Sequence, residues 1–272
     1  MCGDLRQTVT PAWIAEDWKE VLQRKGFVDF DALWTADAPW YEPRNQRRGG
    51  WSGVSYIELE MDGRMAAVYL KRQQDHNRRS LRHPLKGVAT YELEWQAICR
   101  YQAHHIATLT PVYFASRRQH GHQQTILITE ALNDYISLEQ WVAGWQQGSQ
   151  PGRQQRIQVI NAVAKLMAQM HACHFQHNSL YPKHLFLSKA LLHAGHIPGE
   201  ADVRIIDLES NQWRWRKQRA RLRDLDSLNR YSSPWSLTDR ARFLQAYLGI
   251  DRLTPVARSL WKQLTRKHHN KN

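Results

Sequence analysis

Cysteine is scarce in this chain and poorly placed for pairing. Cys2, Cys99 and Cys173 are an odd number with no CxxC spacing, which argues against a disulfide framework or a thiolate zinc site and points to a reducing compartment, the cytoplasm. Long apolar runs are missing as well: nothing approaches the roughly 18 consecutive apolar residues of a membrane span. The opening, MCGDLRQTVTPAW, has no apolar core behind a basic start, so neither a secreted nor a spanning protein is expected. There is no internal repeat and no low-complexity segment. Negative charge is in deficit, since 25 Asp plus Glu against 38 Lys plus Arg leave a formal charge of +13. A field of that sign attracts nucleic acid, nucleotide phosphates or an anionic membrane surface. Twelve tryptophans are many in 272 residues, but they serve cores as readily as stacking platforms.

Along the chain, Thr10-Pro11 predicts a helix start and Gly26 a stop, giving a helix over about 11–25 that FVDFDALW continues loosely. Two strand-like runs follow, at about 54–60 and 65–71, joined across Asp62-Gly63, with a glycine cluster ahead of the first. Residues 72–88 read as basic and irregular. TYELEWQAICRYQAHH is helical, and Glu94 falls on its largely apolar side, where a carboxylate wants a partner. TILITEAL reads as a buried strand, and Ser137 with Gln140 forms a capping box. Residues 152–175 form the strongest helix, with Ile157, Ile160, Ala164, Met167, Met170 and His174 along one face. VRIID at 203–207 is a short strand, and Ser236 and Thr254-Pro255 open two closing helices. A strand-rich first part and a helical second part predict an α+β, bilobal fold with a cleft between the lobes. The expected divisions are a helical extension over 1–45, a β-rich lobe over 46–134 and a helical lobe over 135–272.

Taken singly, the polar residues are weak signals. A glycine cluster is usually a turn, a lysine near a strand end usually solvated, and an aspartate after an apolar run usually a turn residue. Their order is informative. Phosphoryl transfer from ATP needs a backbone cradle for phosphates, a lysine on an adjoining strand, a helical carboxylate to hold that lysine, and a carboxylate for the metal. The chain offers glycines at 49–53, Lys71, Glu94, a strand through Glu130, the loop HNSLYPKHLFL at 177–187 and Asp207, in the order of the protein-kinase plan.

Through RRGGWSGVS, YLKR, YELEW, LITEAL, HNSLYPKHLFL, IIDLE and RFLQAYLG, over roughly residues 10–250, the chain resembles the lipopolysaccharide kinase (Kdo/WaaP) superfamily, and within it the InaA-like branch. The resemblance implies a bilobal kinase-like fold and ATP-dependent phosphorylation of a heptose or Kdo hydroxyl of the lipopolysaccharide inner core. It implies that Gly50 and Gly53 shape a phosphate loop, that Lys71 contacts phosphates while paired with Glu94, and that main-chain groups around Glu130 and Leu132 hold adenine. Asp207 would bind Mg2+. His184 stands where protein kinases have a metal-binding asparagine, although magnesium prefers oxygen ligands.

One position departs from that pattern. Ser179 occupies the place of the catalytic-loop aspartate, and a hydroxyl cannot act as general base at neutral pH. Asp226, Glu209 and His177 are candidate substitutes. The expectation is therefore a kinase slowed at this step, with two alternatives: a pseudokinase that binds nucleotide or a partner in envelope or stress physiology, and, more weakly, a nucleic-acid-binding protein. The cluster His171, Cys173, His174 and His177 lacks an evident fourth metal ligand and reads as helix-end packing. The block WRWRKQRARLRD, with Trp213 and Trp215 among Arg214, Arg216, Arg219, Arg221 and Arg223, suits a solvated basic face, an anionic glycolipid or bilayer surface, or nucleic acid. Asp224 is expected to be a buried anchor at a helix start. The tail TRKHHNKN reads as a frayed helix end.

Overall fold

The computed structural model describes residues 8–9, 11–47, 49–80, 83–148, 150–193, 196–231 and 235–269. Cys2, Thr10, Arg48 and the final three residues of the tail lie outside them. The chain divides into two compact units, one of residues 1–99 and 109–131, the other of residues 100–108 and 132–272.

The first unit is built on an antiparallel sheet. Its strands are β1 (Thr8–Val9), β2 (Trp13–Ile14), β3 (Asn45–Arg47), β4 (Gly50–Met61), β5 (Arg64–Gln74), β8 (Pro111–Gln119) and β9 (His122–Glu130), in the order β1-β8-β9-β5-β4-β3 with β2 also on β8. A separate pair, β6 (Asn77–Ser80) with β7 (His83–Ala89), leads into α3 (Thr90–Ala103). Asp62 and Gly63 take φ of 51° and 74°, the two left-handed residues that a tight hairpin between right-twisted strands requires. The hairpin expected there is present, with longer strands than the apolar runs alone delimit.

The first 40 residues do not form one helix over 11–25. Trp13 and Ile14 pair with Phe114 and Tyr113 on the sheet, and helix begins only afterwards, as a 3-10 turn at Glu16–Trp18 and α1 (Lys19–Arg24). A second short helix, α2 (Phe30–Trp34), is capped by Asp29, which accepts from the Ala32 N–H at 2.8 Å. Trp18, Val21, Leu22, Phe30 and Leu33 join Ile57, Val68, Leu70 and Ile128 in a single core, so this segment is part of the unit it precedes. Buried Arg72 ties it down. Its guanidinium donates to the carbonyls of Trp34 and Ala36 at 3.0 and 2.9 Å and lies 4.4 Å over the Trp40 ring. Of residues 72–88, expected to be irregular, 72–74 continue β5, and 77–80 pair with the strand that begins at 83; basic side chains left the period-2 pattern unreadable, while the ladder needs only backbone.

The second unit is mainly helical. It contains α4 (Leu138–Gln146), α5 (Arg153–Ala172), α6 (Lys217–Tyr231), α7 (Leu237–Leu248) and α8 (Pro255–His269), with short strands β10 (Tyr135–Ser137), β11 (Phe175–Gln176), β12 (Leu185–Ser188), β13 (Val203–Ile205) and β14 (Gln212–Trp213). Both expected capping boxes or caps at Ser137 and Ser236 are formed. On α5 the buried face ends at His171. His174, expected on that face, lies beyond the helix end with φ 64°. No helix among the described residues is long and apolar enough to cross a membrane.

The glycines expected ahead of the first long strand lie inside it. A Cβ on Gly50 would stand 2.1 Å from the Gln74 carbonyl oxygen, and one on Gly53 would stand 2.5 Å from the Trp40 ring. Gly50→Ala should therefore push β4 off the end of β5, lowering unfolding free energy by about 1–3 kcal/mol. Urea titration checks this, and an unchanged midpoint would mean that the β4–β5 end can yield.

Candidate active site

In the first unit the site begins with a glutamine. Gln73 Oε1 accepts from Thr90 Oγ1 and from the Tyr91 N–H, both at 2.8 Å, and so fixes the start of α3 beside the end of β5. One turn further along α3, Glu94 reaches back to Lys71, two residues before Gln73. Lys71 Nζ lies 2.7 Å from Glu94 Oε1, with side-chain exposures of 14 % and 5 %. The carboxylate that the sequence leaves on an apolar helix face has its partner here. A shielded pair of this kind keeps the ammonium oriented.

Glu130 ends β9. Its N–H donates to the Thr110 carbonyl and its carboxylate accepts from the indole of buried Trp18 at 3.0 Å. No sequence signal links Trp18 to Glu130, because they are joined only by the path of the N-terminal segment over the sheet. The Leu132 carbonyl, in the second unit, accepts from the Tyr135 N–H.

In the second unit the loop 177–184 hangs from a buried carboxylate. Asp224 is 0 % exposed and accepts from the N–H groups of His177 and Asn178 at 2.8 and 3.0 Å and from His171 Nε2 at 3.3 Å. It stands in the middle of α6, not at a helix start as expected. A carboxylate so deeply placed must be saturated with donors to be tolerated, and donors from two segments meet that need. Tyr247 closes the far side, its hydroxyl 2.9 Å from His171 Nδ1.

His177 then fixes the segment that follows β13. Its Nε2–H donates to the Ile206 carbonyl at 2.8 Å, and its Nδ1 accepts from the Ser179 N–H at 3.3 Å. Burial holds its pKa below the ordinary histidine value. With both ring nitrogens committed, His177 is unavailable as a substitute base. Asp226 is paired with Arg230 at 3.4 Å.

His184 closes the loop. Its Nδ1–H donates to the Ser179 carbonyl at 2.7 Å, and its main-chain carbonyl accepts from the Ile206 N–H at 3.0 Å. Asp207 comes next, in the left-handed region at φ 62°, a conformation that aspartate tolerates better than most residues and that is common at functional sites. His184 Nε2 lies 3.2 Å from Asp207 Oδ2. Burial pushes the His184 pKa down to about 4. The neutral ring therefore turns a lone pair toward a carboxylate oxygen.

Two acceptors so placed suit a divalent cation. Their separation is close to the edge of an octahedron with bonds of about 2.0–2.1 Å, roughly 3 Å. Asp207 is the hard donor and His184 the softer one. No group of three or more His, Cys, Asp or Glu side chains suited to a metal occurs among the described residues, which leaves further coordination to phosphate oxygens or water. In the cluster of His171, Cys173, His174 and His177, His171 contacts Asp224, His177 bonds the Ile206 carbonyl, and His174 stacks on Trp213 at 5.4 Å.

The family model of the lipopolysaccharide kinase (Kdo/WaaP) family matches residues 31–247. Protein InaA of Escherichia coli strain K12 is 28% identical over 209 residues, covering 76% of this chain and 90% of that protein. The lipopolysaccharide core heptose(I) kinase WaaP of Escherichia coli is 33% identical over 255 residues, covering 90% of this chain and 86% of that protein. WaaP of Pseudomonas aeruginosa is 30% identical over 206 residues, with coverages of 72% and 74%. The solved structure of WaaP in complex with acyl carrier protein superposes with a TM-score of 0.65 at 24% identity, covering 96% of this chain and 99% of that one. That last likeness is one of fold.

Asp224→Ala leaves two main-chain N–H groups and an imidazole without their acceptor and should cost about 3–5 kcal/mol, whereas Asp224→Asn should cost less; denaturant titration ranks the two. Because the native pKa of His177 is lowered, its contribution to stability is complete above about pH 6.5 and is lost as pH falls below that value. Urea midpoints at pH 7.5 and 5.0 should fall more steeply in the wild type than in His177→Gln.

Proposed function

Because the chain belongs to the lipopolysaccharide kinase (Kdo/WaaP) family, we propose that it is an ATP-dependent sugar kinase of the lipopolysaccharide core, acting on a heptose or Kdo hydroxyl. The observation that carries this reading is the Lys71–Glu94 pair at 2.7 Å, together with Asp207 beside His184 and following Ile206, whose carbonyl His177 holds. Lys71 binds nucleotide phosphates, and Glu94 keeps the ammonium aimed. Gly50 and Gly53 let the backbone of β4 run close to its neighbours, and Glu130 and Leu132 offer main-chain groups to adenine. Asp207, with His184 beside it, holds the Mg2+ ion that neutralises phosphate charge when bound.

Ser179 makes this kinase slow. Its main chain is tied to His177 and His184, so the loop keeps its shape, and what is missing is the carboxylate that would take the acceptor proton. General-base assistance contributes about 10²- to 10⁴-fold, while positioning and charge neutralisation dominate a loose phosphoryl-transfer transition state. The same vacancy supports a second reading, a pseudokinase that binds nucleotide without transferring phosphate.

ATP with Mg2+ should raise the melting temperature of the wild type and leave Lys71→Ala unmoved. Ser179→Asp should speed transfer to core oligosaccharide by at least about tenfold, since it restores the base in an otherwise ordered loop. ATP binding with no transfer by either protein would favour the pseudokinase, and no ATP effect at all would end both readings.

A further inference from the structure

Trp213 and Trp215 are 52% and 82% exposed, and their rings lie 6.0 Å apart. They are not on a slack loop. Trp213 sits opposite Phe175 in the β11–β14 pair. The Arg214 N–H donates to the His174 carbonyl at 2.8 Å, His174 Nδ1–H donates back to the Arg214 carbonyl at 3.1 Å, and Arg214 Nε donates to Gln176 Oε1 at 2.9 Å. Trp213 is thus held in water by a short ladder, with the exposed Trp215 ring beside it, an arrangement that marks an interaction site more often than a folding accident.

Exposed Arg214 and Arg216 flank Trp215 in the chain, and exposed Arg223 lies on the following helix α6; the side chains of Lys217 and Arg219, from the same basic row, lie outside the described residues. We infer that the edge Trp213–Arg216 docks on the surface of an anionic bilayer, with the indoles at the lipid–water boundary and the arginines on the headgroups. Indole, with an apolar body and one N–H, suits that boundary. A single-stranded nucleic acid would need open ring faces spaced for successive bases. Here the His174 ring already stacks on Trp213, and Trp215 meets Trp213 edge-on at 66°.

The docking edge is stapled to the loop bearing Ser179. Asn178 Nδ2 donates to the Ser210 carbonyl at 2.8 Å and Asn211 Nδ2 to the Gln176 carbonyl at 3.2 Å. Resting on the kinase reading above, this joins bilayer contact to the presentation of a lipid-borne acceptor.

Co-sedimentation of the full chain with phosphatidylglycerol/phosphatidylethanolamine vesicles tests the inference, with phosphatidylcholine vesicles as the neutral arm. Binding should be selective for the anionic vesicles, weaken at high salt and fall by about tenfold or more in Trp215→Ser/Arg216→Gln, with an unchanged melting temperature. In the same variant, transfer to acceptor embedded in vesicles should fall while transfer to soluble core oligosaccharide holds. Partitioning equal to that of the wild type would overturn the docking edge. So would a single-stranded oligonucleotide bound in preference to vesicles through the same two residues. Failure to phosphorylate soluble oligosaccharide would instead fall on the kinase reading and leave vesicle binding standing.

Discussion

The second unit depends on one buried carboxylate. Asp224, fully enclosed in α6, is tolerable there only because it collects donors from α5 and from the first two residues of the loop that follows. The consequences run along the chain in a fixed order. The His177 main chain is anchored, so its ring can reach the Ile206 carbonyl. Ile206 is held from the other side by the His184 carbonyl, and Asp207 follows in its left-handed turn. The first unit has a parallel arrangement of smaller reach, in which Gln73 anchors α3 and the helix delivers Glu94 to Lys71. In each unit the candidate site residues are positioned by a polar residue outside the candidate set, Asp224 or Gln73.

This division explains what could be read from sequence. The nearness of Lys71 to Glu94, and of His184 to Ser179 and Asp207, was anticipated from the order of these residues along the chain, and the long helices were legible from apolar periodicity and caps. The supporting contacts were not. Gln73 and Trp18 find their partners only through strand register and the path of the N-terminal segment, which no local pattern encodes. The helix expected over residues 11–25 failed because Trp13 and Ile14 gain more from the edge of β8 than from a turn of helix, and propensity is weak against tertiary pairing. The glycines were found but misplaced: their lack of a side chain serves the backbone at Gln74 and the Trp40 ring as well as any phosphate.

On the kinase reading proposed above, Ser179 affects a rate and leaves the architecture of the loop intact. The groups that order the loop act on its main chain and on its two histidines, and a serine in place of an aspartate disturbs none of them. The lysine–glutamate pair, and the aspartate in a left-handed turn beside a histidine, would serve phosphate and metal binding on either reading proposed above. On the kinase reading the deficit lies at proton removal.

Transfer of label from γ-labelled ATP to isolated lipopolysaccharide core oligosaccharide, with wild-type protein and Asp207→Asn side by side, bears most directly on that account. Slow, metal-dependent incorporation by the wild type and none by the variant is the predicted result. Equal incorporation by both, or none by the wild type over hours at saturating ATP, would contradict it.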